Sequence, residues 1–258
     1  MKKLMIAAAA SIAAVSAFAA VESPNIVGYQ TQGIQGGKLN CVALQFSDVG
    51  STGNTASIAG LSTSGLTAGV YDTMNTDAPC IMFYNGVGYD FYYYISDAYD
   101  AKGDTVTAWA DLNGDATDVA KVIGTGFWLR IPEATCTTGS LTESGEVSTA
   151  ATTTIDIANG LTLASNPYPT AMNMSKVTTA GLTPGVYDTM NTDAPCIMVY
   201  NGVGYDFYYY ISDAYDAKGD TVTAWSDLNG DAVTGEIAEA GAAFWAKSTT
   251  AGTLTFAL

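Results

Sequence analysis

The stretch Gly69 to Ala116 is written twice. It returns at Gly185 to Ala232, displaced by 116 positions, and only two of its 48 residues change: Phe83 becomes Val199 and Ala110 becomes Ser226. Weaker similarity runs on to both sides. "STSGLTAGVYD" is answered by "TTAGLTPGVYD", "GTGFWLRI" by "GAAFWAKS", and "TTGSLTESGEV" by "TAGTLTFAL". The repeating unit is therefore about 115 residues, the length of an ordinary domain. Two units are too few for a solenoid, and each is long enough to hold its own core. The expectation is two tandem domains, residues 20–146 and 147–258, joined in the Thr/Ser/Ala-rich stretch from Glu146 to Thr154.

Within a unit the pattern predicts an all-β fold. Short runs rich in Val, Ile, Tyr, Phe and Thr are punctuated by Gly, Asn, Ser and Thr, with little 3.6-residue periodicity. "CIMFY-NGVG-YDFYYYI" reads as a hairpin of strands Cys80–Tyr84 and Tyr89–Ile95, with Asn85-Gly86 opening a turn that wants positive φ. Further strands are expected at "TVTAW", at Phe127–Ile131 and at "SLTESGEV". Turns at this spacing point to β-sandwich-like domains. The alternating Leu254, Phe256 and Leu258 at the end admit an outer-membrane barrel as the alternative, but steady strands of roughly ten alternating residues are missing. Alternation places Tyr89, Phe91, Tyr93 and Ile95 on one face and Asp90, Tyr92 and Tyr94 on the other. Ile95 and Phe91 mark the first as the expected core face, which leaves Tyr92 and Tyr94 pointing to water.

The first 19 residues combine Lys2 and Lys3, an Ala-rich apolar run and an Ala17-Phe18-Ala19 ending, the pattern of a secretory signal peptide. We therefore expect an exported protein: extracellular, on the cell surface, or in the periplasm of a diderm bacterium. No later apolar run is long enough to span a bilayer. The chain carries 25 acids against nine bases, and losing two lysines with the leader moves its net charge from −16 to −18. Such a charge repels nucleic acid and anionic lipid. Histidine is absent, which removes Ser-His-Asp and Cys-His catalysis and nearly every zinc enzyme site.

Four cysteines in an exported chain point to disulfides. Cys80 and Cys196 are equivalent positions, whereas Cys41 and Cys136 have no counterparts in the second half, so the expected bond is Cys41–Cys136. Cys80 and Cys196 are then either buried thiols or a pair across the halves.

Three patterns carry candidate chemistry. "DLNGDA" sets Asp111, Asn113 and Asp115 at alternate positions, copied as Asp227, Asn229 and Asp231. Hard cations want oxygens from such compact loops, which makes calcium the candidate cofactor. The loop resembles the opening of dockerin and EF-hand calcium loops, but Ala116 and Ala232 replace the turn glycine, and Val122 and Ala238 replace the closing acid. Asp118 and Glu236 are nearby acids. An Asx-type turn explains the same residues without a metal. The second pattern is aromatic: 14 of the 16 tyrosines lie in the duplicated block. Asp90, Tyr92, Tyr94 and Trp109, with Asp206, Tyr208, Tyr210 and Trp225, would form two platforms for a protein partner or a glycan, unless they are cross-strand pairs holding the sheet. The third is a carboxylate pair for glycoside hydrolysis, for which acids abound but no motif stands out.

"VESPNIVGY" after the leader, "GVGYDFYYYISDAYD", "GTGFW" and a closing "SGEV" together resemble secreted β-repeat proteins of Verrucomicrobia-like bacteria, which carry no known activity. The resemblance implies a secreted β protein and transfers no functional residue. The leading expectation is a non-catalytic secreted or cell-surface structural protein. It would contact envelope or matrix proteins or copies of itself. A tandem carbohydrate-binding module is the alternative, and a carboxylate-based glycoside hydrolase ranks third.

Overall fold

The structure is a computed structural model and describes residues 26–133 and 138–258. The expected signal peptide and Cys136 lie outside the described residues. The fold is all-β, built from small antiparallel sheets packed in layers. In the first half the strands are β1 (Val27–Gln35), β2 (Lys38–Ala43), β3 (Phe46–Ser47), β4 (Thr55–Ser57), β5 (Cys80–Tyr84), β6 (Tyr89–Tyr99), β7 (Thr105–Ala110), β8 (Ala120–Val122), β9 (Gly126–Ile131) and β10 (Thr138–Val147). The second half supplies β11 (Thr152–Ile157), β12 (Gly160–Ser165), β13 (Met172–Asn173), β14 (Val177–Ala180), β15 (Cys196–Tyr200), β16 (Tyr205–Tyr215), β17 (Thr221–Ser226), β18 (Glu236–Ala238), β19 (Ala243–Ser248) and β20 (Gly252–Ala257).

A five-stranded sheet ordered β2-β9-β5-β6-β7 faces a three-stranded sheet β1-β10-β3, with β4-β8 beside them. The order returns as β12-β19-β15-β16-β17, β11-β20-β14 and β13-β18. One position differs. β14 pairs with β20, whereas the matching segment of the first half touches β10 only through a bridge between Ser62 and Thr142. Among the described residues no helix is long and apolar enough to cross a membrane.

The hairpin forms as its sequence predicts, from Cys80↔Tyr93 to Tyr84↔Tyr89. Asn85 shapes its turn: the side-chain Oδ1 accepts from the backbone N–H of Val87 and Gly88, while Gly86 takes φ 96°. β6 runs on past Ile95 to Tyr99 through a register shift before Ala98. That bulge turns Asp97 outward, where it accepts the Tyr71 N–H at 2.8 Å. It thereby anchors the 3₁₀ turn Tyr71–Thr73 and the short helix Met74–Asp77 that follows. Sequence periodicity does not reveal these turns because they are too short to show one.

The expected core face of the hairpin is buried at Tyr93 and Ile95, but the opposite face is covered as well. Ile81, Phe83, Trp109, Phe127 and Leu129 of the five-stranded sheet bury themselves against Ile34 and Leu141 of the smaller sheet, and Tyr92 and Tyr94 pack with them. On the expected face Cys80, Tyr93 and Ile95 lie under Met74 and Ala78. Alternation sorts residues into two faces; it does not say which face the rest of the chain will cover. A tyrosine suits either, because its ring is apolar and its hydroxyl can reach the edge of the layer.

Both substitutions between the copies fall in this buried layer. Phe83 carries the Lys121 ammonium 5.0 Å above its ring, and the second half has Val199 and Ala238 at the matching positions, so cation and ring are lost together. Ser226 replaces Ala110 at full burial because its hydroxyl donates to the Tyr209 carbonyl at 3.3 Å.

The halves meet along a seam with exchange symmetry. Trp128 sits edge-on to Tyr200 at 5.5 Å, and Trp245 edge-on to Tyr84 at 5.0 Å. Bridges join Val42 to Ala242 and Ala164 to Thr125, again equivalent residues in exchanged roles. These reciprocal pairs relate the two halves by a pseudo-two-fold axis. Gly126 allows the approach, since a Cβ there would stand 2.7 Å from the Ala243 Cβ and 2.9 Å from the Ala164 carbonyl oxygen.

Candidate functional site

The aromatic residues singled out in the sequence are framework first. Trp109 and Trp225 are buried, at 3% and 6% exposure. Tyr94 packs on Trp109 and Tyr210 on Trp225, each at 5.4 Å between ring centres. Tyr94 also accepts a hydrogen bond from Thr63 Oγ1 at 3.1 Å. The expected open platform of Tyr92, Tyr94 and Trp109 is thus corrected to a wall of the core. Burial, followed by the Asp90 and Asp111 carboxylates, raises the Tyr92 pKa; burial with Asp206 and Asp227 does the same for Tyr208. Asp90 and Asp206 brace the hairpin turn by accepting from Asn85 and Asn201 Nδ2, at 2.8 and 3.0 Å. In the second half Tyr210 and Trp225 do border a groove of about 350 Å³, with Met174, Val177, Thr178 and Thr179 on its sides.

The "DLNGDA" loops close on themselves. Asp111 Oδ1 accepts from the N–H groups of Asn113 at 2.8 Å and Asp115 at 3.1 Å, and Asn113 Nδ2 donates to Asp111 Oδ2. Asp227, Asn229 and Asp231 repeat this. The geometry is that of an Asx turn. Asp118 accepts instead from the Ser57 hydroxyl. Gly114 holds φ 85° while the Tyr71 ring presses on it, so close that a Cβ would lie 2.7 Å from Tyr71 Cδ2. The loop is also fastened to Tyr99, whose N–H donates to the Gly114 carbonyl and whose carbonyl accepts from Ala116.

Among the described residues Cys41 is a free thiol, and its expected partner Cys136 lies outside them. Cys41 stands opposite Trp128, and its Sγ donates to the Ala243 carbonyl of the other half. Burial pushes its pKa up to about 12. Cys80 and Cys196 are also free and buried, with pKa values raised by burial to about 11 and about 12. All three thiols are inert at neutral pH.

The exposed residues of the repeat were not singled out in the sequence. Around each acidic loop stand Val70, Tyr71, Tyr99 and Leu112, and their copies Val186, Tyr187, Tyr215 and Leu228. The hairpin tips bear Val87 and Val203, 95% and 97% exposed. Their signal was present in the letters: apolar residues inside turns, twice, in the same places. Every residue of the 48-residue block that is exposed in the first copy is unchanged in the second. Comparison with family models, curated proteins and solved structures finds no match to this chain.

Proposed function

We propose that the chain is a non-catalytic secreted or cell-surface protein whose two β-sandwich domains present one contact face twice. Its partner is an envelope protein or another copy of itself. One observation carries this reading: the exposed apolar residues Val87, Leu112, Tyr71 and Tyr99 recur unchanged, while both differences between the copies are buried. Packing constrains a core more tightly than a surface, so packing alone would favour the opposite distribution. Surface apolar residues in matched pairs are what a bivalent binder needs, because linked sites raise avidity without new contacts.

The test uses charge on the most exposed positions, where folding is insensitive. Val87→Lys with Leu112→Lys alters one copy, and Val203→Lys with Leu228→Lys the other. Sedimentation with isolated envelopes and light scattering of the purified chain read the two kinds of partner. Altering one copy should weaken association about tenfold or more, and altering both should abolish it. Association unchanged in the fourfold variant would overturn the proposal.

A further inference from the structure

Along the seam the two halves leave a cleft of about 340 Å³ whose wall is aromatic. Tyr89 and Trp128 come from the first half and Tyr200, Tyr205 and Trp245 from the second, with Met82 and Leu39 completing it. Neither half makes the cleft alone. Its rings meet at wide angles, 75° between Trp128 and Tyr200 and 59° between Tyr200 and Tyr205, so they form walls and not a stack. Tyr89 lines the cleft with Trp128, and Tyr205 lines it with Trp245.

We propose that this cleft binds an alkylated ammonium cation, of the trimethylammonium class. The wall carries no charged group, amide or carboxylate. A metal ion or a bare ammonium would lose its hydration there with only tyrosine hydroxyls to replace it. A sugar would find no in-plane partner for most of its hydroxyls, since only the tyrosine hydroxyls offer one. A methylated ammonium is weakly hydrated and needs only the negative faces of aromatic rings, which are what the cleft supplies. The net charge of −16 adds a long-range pull on any cation and disfavours anions. The size suits a small head group on a short chain. This reading is independent of the outer faces, and the lysine variants above do not touch it.

The test titrates the full chain with choline and tetramethylammonium, following tryptophan fluorescence and binding heat. The neutral carbon isostere of choline, 3,3-dimethyl-1-butanol, and methyl glucoside serve as comparisons. Saturable binding of both cations is expected, with the isostere about tenfold weaker or more. Tyr89→Leu with Tyr205→Leu should lose about tenfold in affinity, whereas Tyr89→Phe with Tyr205→Phe should stay within about threefold, because the ring face and not the hydroxyl binds. Unchanged circular dichroism and melting show that the variants fold. Equal binding of the isostere, failure of either cation to saturate, or methyl glucoside binding that the Phe variants lose would each overturn the proposal.

Discussion

Glu143 is a carboxyl with almost no water around it. It is 5% exposed on β10, and its two oxygens accept from the backbone N–H groups of Gln45 and Phe46 at 2.9 to 3.0 Å. The Gln45 side chain then donates across the seam to the carbonyls of Asn166 and Tyr168. The matching residue of the second half is Phe256, equally buried, so one half fills with a ring what the other fills with an acid. Burial lifts the Glu143 pKa from 4.5 to about 7; the two backbone hydrogen bonds oppose that rise without cancelling it. The folded chain therefore holds a proton that the unfolded chain has released. Its contribution is full below about pH 4.5 and is lost as pH rises through 7. Two to three pKa units correspond to about 3 kcal/mol, so urea unfolding should show the protein more stable at pH 5 than at pH 8 by that order. Repulsion among the other acids acts in the same direction, which makes Glu143→Gln the necessary control. The variant should flatten most of the difference, and a pH dependence equal to that of the unaltered chain would remove Glu143 as its source.

At the scale of elements, strands and turns were legible in the sequence and faces were not. Cys80–Tyr84, the "TVTAW" strand and the strand through Phe127–Ile131 lie where their letters put them, because β-branched and aromatic runs bounded by Gly and Asn have few other ways to bond their backbone. The side of β6 that faces the core was hidden because both sides are covered, one by a sheet and one by the turn at Met74. Alternation is informative only when one face meets water. The acidic loop shows a similar limit. Its spacing suits a cation or an Asx turn equally, and the hydrogen bonds of Asp111 supply the turn. The constraint the letters do carry is Gly114, which needs positive φ and leaves no room beside Tyr71. Gly114→Ala should cost about 2 kcal/mol, from the left-handed backbone and the ring it displaces, and lower the melting temperature by about 4 to 8 °C. Gly88→Ala is the comparison, since a Cβ there meets nothing within 4 Å. It should change stability by less than about 0.5 kcal/mol. Equal effects at both sites would mean that glycine's general flexibility, and not the Tyr71 contact, is at stake.

For the whole molecule the question is whether the two halves are beads on a string or one cooperative body. A repeat in the sequence does not answer it, because the letters that make the seam look like ordinary strand residues. "GFW" in each unit announces a buried strand, and nothing in it says that Trp128 and Trp245 reach out of their own sandwich to the partner half. The structure gives each tryptophan a tyrosine from the other copy and closes the contact around Gly126 and Ala243. Edge-to-face aromatic pairs of this kind contribute about 0.5–1.5 kcal/mol beyond the area they bury. The exchange symmetry makes a sharper demand than a single pair would. A double-mutant cycle on Trp128 and Tyr200 should return a coupling of that size, and the cycle on Trp245 and Tyr84 should return nearly the same value. Calorimetry should show one unfolding transition for the unaltered chain. With Trp128→Ala and Trp245→Ala together, each truncation costs about 3–5 kcal/mol and the seam loses both of its anchors, so the transition should split in two as the halves melt separately. A single, merely shifted transition in that variant, with near-zero coupling in both cycles, would show that the tryptophans serve their own cores, and that Gln45 and the strand bridges alone hold the halves together.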